Sequence, residues 1–311
     1  MGFLLRRATR FAISLAILVT ASFAMIHLVP GDPVRAALGT TAPAELVEAR
    51  RSALGLDLPL WEQFLGYVRG LISGDLGRSI GSDLPVSTII VERLPETLKL
   101  SLLATALTLA VALPLGITMA VLTHGGRRRA AELGFAGITG MLTVIPEFLL
   151  AVGLVFVFAI TLQWLPVAGK GGPASYVLPV LALAAGPIAG LSRVVRVDTL
   201  TVLDQDYMRT ARAKRLPVRL LYLRHALPNV LTSALTIAGM LVVGLIAGTV
   251  LVETVFAWPG LGATIVQSIQ QKDYPLVQGI VLVYGTAVLV VNLLVDTALG
   301  VLSPGSTVRE S

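Results

Sequence analysis

Arg209, Arg212, Lys214, Arg215, Arg219 and Arg224 crowd into one stretch, DYMRTARAKRLPVRLLYLRHALPNV (206–230), of a chain in which only 14% of residues are charged. Laid on a helix, Leu216, Leu220, Leu223 and Leu227 form one stripe, and Arg212, Arg215 and Arg219 form another. Pro217 disfavours helical geometry at Leu216, so the stretch reads as two short helical pieces with a bend near 214–217. Charge and spacing leave two readings open. One is a solvated loop held against anionic lipid. The other is a short docking helix, whose small residues Thr210, Ala211 and Ala213 allow a soluble partner to approach closely.

Other chemistries find little to work with. The chain has no cysteine, which removes disulfides, thiolate metal sites and thiol nucleophiles. His27, His124 and His225 are too scattered to suggest a metal set, and no H-E-x-x-H occurs. Gly169-Lys170-Gly171 lacks the spacing of a phosphate-cradling G-x-x-x-x-G-K-[ST] loop. No catalytic triad is legible, so neither a resident cofactor nor a metal is expected. Polar residues inside apolar runs are the remaining signal, because lipid makes them costly. Glu147, straight after Pro146, reads either as a group lining a path that meets a charged amine or as the partner of a neighbouring helix. Asn292 and Asp296, one helical turn apart, read as contacts between helices or at the inner interface.

These residues must be held by elements suited to lipid. Hydrophobic residues make up 55% of the 311 and the mean hydropathy is +0.84, whereas a soluble domain carries roughly a quarter charged residues. The net charge of +6 and pI near 10.0 do not imply nucleic acid, since the cations are not interleaved with stacking aromatics. A bilayer core takes about 20 apolar residues per helix, and six runs qualify: 11–29, 98–122, 133–162, 176–195, 228–252 and 279–302. The third is long enough to need tilt, or a break at Pro146. The first has the basic start of a signal peptide but too long an apolar core, and reads as an uncleaved anchor. The expected fold class is an all-α integral membrane protein with six transmembrane helices.

Lys and Arg in short loops orient such a chain. Arg6, Arg7 and Arg10, Arg127, Arg128 and Arg129, the stretch from Arg193 to Arg224, and Arg309 all fall on one side, against only Lys170 and Lys272 in the short loops of the other. Both termini are therefore expected in the cytoplasm. The divisions are a cytoplasmic N-terminus (1–10), a first span (11–29), an extracytoplasmic region (30–97), a core of spans two to six (98–302) containing a cytoplasmic loop (196–228), and a cytoplasmic tail (303–311). The outer region begins with the turn signal PGDP (30–33), continues with a polar helix after Pro43, and then shows an amphipathic pattern with Gly-Asp turns in LGLDLPLWEQFLGYVRGLISGDLGRS (54–79). It is large enough for a small helical cap and too small for an independent enzyme domain.

YMRTARAKRL followed by RHALPNV resembles the cytoplasmic coupling loop of binding-protein-dependent ABC-transporter permeases. Their pattern is Glu-Ala-Ala, three residues, Gly, nine residues, then an apolar residue, any residue, Leu and Pro. Arg209, Thr210 and Ala211 stand at its start, Arg215 at its glycine, and His225, Ala226, Leu227 and Pro228 at its end. Arg209 replaces the acidic residue, as is common in the peptide-transport branch. Arg215 replaces the glycine, and Pro217 is available to supply the bend. LVPGDPVRAALG, LGLDLPLWEQF, GDLGRS, RLPETLKLSL, LQWLPVAG, ETVFAWPGLG and DYPLVQGIVL are similar, in order and spacing, to segments of the first permease subunit of dipeptide, oligopeptide and nickel importers. The C-terminal Leu302-Ser303-Pro304-Gly305 departs from the Leu-Asp-Pro-Arg usual there.

The resemblance implies a type I ABC importer permease of the cytoplasmic (inner) membrane, a non-catalytic subunit with a second homologous permease, two ATP-binding subunits that hold ATP and Mg, and an extracytoplasmic solute-binding protein. It assigns Arg209, Thr210, Ala211, Arg212, Ala213, Lys214, Arg215, Leu216 and Pro217 to the ATPase-coupling loop. Arg209, Arg212 and Lys214 would anchor the dock by charge, with Ala211 and Ala213 at the close contact. VETVFAWPGLG (252–262) becomes a re-entrant turn at the outer mouth, so that Glu253, Trp258, Pro259 and Gly260 join Pro146 and Glu147 as candidates for the path or gate. Trp258 also fits a plain interfacial aromatic. Peptides are the expected cargo, with nickel or a metal chelate as the alternative. A stand-alone secondary transporter is the rival from another class, and it predicts duplicated halves that are not visible. A structural anchor would leave the coupling-loop spacing unexplained.

Overall fold

Backbone groups that meet lipid have no water to bond, so apolar runs close their hydrogen bonds along helices. A computed structural model describes residues 2–28, 33–39, 42–53, 55–214, 239, 241, 244–245 and 248–302. Among the described residues the elements are helical, apart from one isolated bridge between Arg78 and Pro85. Four helical stretches are long and apolar enough to cross a membrane: Arg6–Met25, Val86–Gly126, Pro173–Leu203 and Tyr274–Val295. Arg129–Val144 with Glu147–Thr161 makes a fifth if the bent pair is one span. The expected span at 228–252 lies mostly outside the described residues.

Two units divide the chain. The first takes Met1–Thr97 and Pro259–Leu293. It contains α1 (Gly2–Leu28), α2 (Pro33–Leu38), α3 (Ala44–Ala53), α4 (Leu60–Ser73), the start of α5 (Val86–Thr123), α10 (Leu261–Gln270) and most of α11 (Tyr274–Leu302). Its core gathers Val86, Ile90, Leu261, Leu276 and Ile280. The α4 helix packs on α1 through Phe23, whose ring meets Phe64 edge-on at 5.2 Å, and through a 3.1 Å hydrogen bond between His27 Nε2 and Gln63 Oε1. Burial raises the Tyr67 phenol above its ordinary value, opposed by the polar Ser22 and Gln278 side chains beside it. Gly74 ends α4 at φ 79, a left-handed position that glycine takes without strain.

Asp273 organises the loop side of this unit. Its carboxylate accepts from the Ser79 hydroxyl, from Ile80 N at 3.1 Å, from Gly81 N at 3.3 Å and from Leu276 N at the start of α11 at 3.4 Å. It is 2% exposed, so the bonds replace the water its charge has lost.

The second unit takes Leu98–Trp258 and Leu294–Ser311. It holds the rest of α5, α6 (Arg129–Val144), α7 (Glu147–Leu154) running into a π-helical stretch (Val155–Thr161), α8 (Val177–Leu203) and α9 (Asp206–Ala213). Leu100, Leu178, Leu183, Phe256 and Trp258 are central to its core. Helices α5 and α8 approach closely at Gly116, where a Cβ would lie 2.6 Å from Ser192 O. A small residue at a lipid-embedded helix contact is the means of that approach.

Two boundaries differ from expectation, and the break expected at Pro146 is present. The second span was expected to begin at 98, but α5 starts at Val86. Residues 86–97 carry Glu92, Arg93 and Glu96, so hydropathy marks where lipid begins and not where the helix does. The expected third span breaks by 100° between α6 and α7, because Ile145 is extended ahead of Pro146. The α8 helix runs on to Leu203 because Leu191, Val195, Thr199 and Leu203 bury an i, i+4 stripe. Arg193 and Arg196 are therefore helical and not part of a loop.

Candidate functional site

The coupling candidates begin where α8 ends. Asp204 and Gln205 turn the chain, Gln205 N donating to Val202 O at 3.2 Å, and α9 follows. Met208 and Ala211 point inward from α9 and pack with Leu203 beside Val202. Ala211 is 6% exposed, so it seats α9 on its own chain. The expected close contact of Ala211 with a partner is corrected accordingly. Tyr207, Thr210, Ala213 and Lys214 are exposed and fall on one side of the helix, at i, i+3, i+6 and i+7. Arg209 and Arg212 stand on α9, with side chains outside the described residues. Arg215, Leu216 and Pro217, the bend near them and the RHALPNV segment also lie outside the described residues.

Two polar braces hold the root of α9. Arg196 donates to Glu132 Oε1 at 2.5 Å and to Thr123 Oγ1 at 3.0 Å, joining α8 to α6 and the end of α5. His124 Nε2 meets Asp204 Oδ1 at 2.9 Å, just before α9. Sequence reasoning counted Arg196 only as a loop charge and dismissed His124 as scattered. The i, i+4 burial stripe through Val195 and Thr199 was a legible sign that Arg196 is helical. The His124–Asp204 pair, 80 residues apart, left no such sign.

Glu147 opens α7 directly after Pro146. Its Oε1 is buried with no hydrogen-bond partner among the described residues. A Cβ on Gly248 would stand 2.9 Å from its Oε2, so Gly248 leaves the notch that the carboxyl occupies. Glu253 follows on the same helical stretch (248–255) and is fully buried. Trp258 is 1% exposed, stacked edge-on against Tyr176 at 4.6 Å, and its N–H has no acceptor among the described residues. It is a core residue, which corrects the interfacial reading. Gly169 donates its N–H to Phe256 O at 2.7 Å and ties the loop before α8 to this turn. Pro259 and Gly260 fall in the first unit, where Gly260 caps α10 and Leu261 N donates to Thr97 Oγ1 at 2.8 Å. The proposed gate residues thus belong to two units. Asn292 is exposed. Among the described residues no cluster of His, Asp and Glu could hold a metal ion.

Known proteins complete the picture. Residues 112–308 match the family described as binding-protein-dependent transport system inner membrane component, and residues 1–101 match its N-terminal companion. The chain is 36% identical to the glutathione transport system permease protein GsiC of Pectobacterium atrosepticum over 98% of both chains. It is 34% identical to GsiC of Escherichia coli strain K12 over the same share. In fold it is similar to a chain of the inward-facing MetNI methionine ABC transporter (TM-score 0.56, 18% identity, 69% of this chain and 96% of that one). A chain of an amino acid ABC transporter is similar too (TM-score 0.53, 16% identity, 68% and 94%). With its helices built for lipid and both family segments in place, this chain belongs to the inner membrane components of binding-protein-dependent transport systems, as a multi-pass permease subunit of an ABC importer.

Proposed function

We propose that the chain moves peptides inward, as one of two homologous permeases driven by two cytoplasmic ATP-binding subunits and fed by an extracytoplasmic solute-binding protein. ATP and Mg reside in the ATP-binding subunits, and this chain performs no catalysis. Six spans cross the membrane with both termini in the cytoplasm, the loop charges setting the orientation. The cargo follows from kinship: GsiC is named for glutathione, a tripeptide, and the two GsiC proteins match nearly the whole chain. That favours peptide over nickel.

One observation carries the coupling role. Helix α9 is short, seated on α8 by Met208 and Ala211, and presents Tyr207, Thr210, Ala213 and Lys214 outward. Closure of the ATP-binding pair pushes that face, and the rigid α8–α9 corner carries the push into the membrane as a rigid-body motion. Lys214, with Arg209 and Arg212, supplies charge for the dock, and Arg215, Leu216 and Pro217 complete the loop. Along the path, the Glu147 carboxyl, whose buried Oε1 has no hydrogen-bond partner among the described residues, suits the ammonium group of a peptide. Glu253 and Trp258 of the second unit, and Pro259 and Gly260 of the first, are the candidates for the gate.

Purification of the tagged chain from its native operon context tests this reading: ATP-binding subunits are expected in stoichiometric yield, with ATP-dependent dipeptide uptake in proteoliposomes. Uptake by the purified single chain without an ATPase overturns it. Within the active complex, Glu147→Gln lowers uptake of a free-amine dipeptide while assembly holds. Unchanged uptake removes Glu147 from the path.

A further inference from the structure

Helix α4 leaves part of its surface without a partner in the described structure. Its Phe64 and Tyr67 side turns to α1, while Trp61, Leu65 and Ile72 are exposed at 62%, 43% and 84%. With the half-buried Val68 they follow one another at i, i+4, i+7 and i+11, a single continuous stripe. Glu62, Gln63, Arg69 and Ser73 occupy the remaining arc. Such a helix needs something apolar along one side and water along the other.

Its depth identifies what lies on the apolar side. The apolar window of α1 runs from Arg6 to Met25. Helix α4 touches Phe23 through Phe64 and Tyr67 and Ser22 through the Tyr67 hydroxyl at 3.4 Å. Those α1 residues lie two and three positions inside the end of the window, about 3–5 Å at 1.5 Å per residue. An element packed there sits at the boundary of headgroups and acyl chains, where amphipathic helices bury their apolar side about 5–10 Å deep. Ile13 and Ile17 on α1 itself are exposed as well, as expected of a helix that meets lipid. Tryptophan and an arginine on the flank, Trp61 and Arg69, are the side chains that settle at such a boundary.

We propose that α4 lies in the bilayer interface, with Trp61, Leu65, Val68 and Ile72 in lipid, so that the segment after α1 is partly membrane-embedded and not a cap standing in water. Only the choice of leaflet, the outer one, rests on the orientation proposed above.

The chain has no native cysteine, which suits spin labelling of the intact transporter in vesicles of phosphatidylethanolamine and phosphatidylglycerol. Single variants Trp61→Cys, Leu65→Cys and Ile72→Cys are compared with Glu62→Cys and Arg69→Cys, and with Ile17→Cys as the lipid reference. A several-fold excess of oxygen over nickel-chelate collisions is expected at 61, 65 and 72, as at 17, with the reverse at 62 and 69. Nickel excess at 65 and 72 places the stripe in water and overturns the proposal. Low access to both reagents shows a protein cover and overturns it equally. If labelling disturbs assembly, the Trp61 fluorescence decides, taken as the difference between Trp164→Phe and Trp61→Phe/Trp164→Phe transporters so that the Trp258 signal cancels: acyl-brominated lipid quenches it if the stripe is in lipid and leaves it unchanged otherwise. ATP-driven uptake measured on the same vesicles separates the two readings, since normal uptake with a water-exposed α4 overturns this inference alone.

Discussion

Arg196 is the residue on which the junction of α5, α6 and α8 depends. Its guanidinium spans Thr123 and Glu132 with its own side chain only 16% exposed, so truncation leaves a partly buried carboxylate and hydroxyl without their donor. Arg196→Ala is expected to cost about 1–3 kcal/mol, read as a lower Tm of the purified complex. Arg196→Lys keeps the charge, loses the fork and recovers only part of the loss. Asp273 plays the corresponding part in the first unit, where four donors converge on one buried carboxylate. Asp273→Ala is expected to cost roughly 2–3 kcal/mol and Ser79→Ala about 1 kcal/mol. Equal losses for the two variants in thermal unfolding would mean that the Ser79 bond carries the whole contact. At Gly248 the outcome depends on the size of the new side chain. Alanine meets only the flexible end of Glu147, so assembly survives. The carboxyl is displaced, and uptake falls in Gly248→Ala while Tm hardly moves.

Helix α9 separates two neighbours that are alike in sequence. Ala211 is buried against Leu203 and Met208, while Ala213 is exposed two residues later. Ala211→Trp overfills the α8–α9 contact and is expected to destabilise by about 1–3 kcal/mol. Ala213→Trp changes stability by less than about 0.5 kcal/mol yet blocks the docking face, so ATP hydrolysis continues without uptake. Parallel Tm and uptake measurements distinguish these outcomes, and loss of uptake only in Ala211→Trp would put the dock elsewhere. The broken pair α6–α7 makes a similar point about elements. Pro146 was legible as a break, but the size of the bend depends on what α6 and α7 each pack against, and both pack on α8.

For the molecule as a whole, orientation is the property that the remaining claims share. Single cysteines at Arg128 and Lys214 are expected to react with an impermeant maleimide only from the cytoplasmic side, and those at Asp75 and Lys170 only from outside. Labelling of position 214 from outside would reverse the chain and remove the coupling role with it.

Lipid as solvent, helices as the only economical backbone and the family were all legible in the sequence, because each depends on local composition or on spacing along the chain. Hydropathy alone did not show that α5 starts at Val86 or that α8 runs to Leu203, since charged residues can sit in a helix that continues past the membrane. Only the tertiary structure turned Ala211 inward and Trp258 into the core, joined His124 to Asp204 across 80 residues and set Glu147 in the notch of Gly248. Burial and pairing are decided by what a distant segment brings alongside, and no local pattern carries that information.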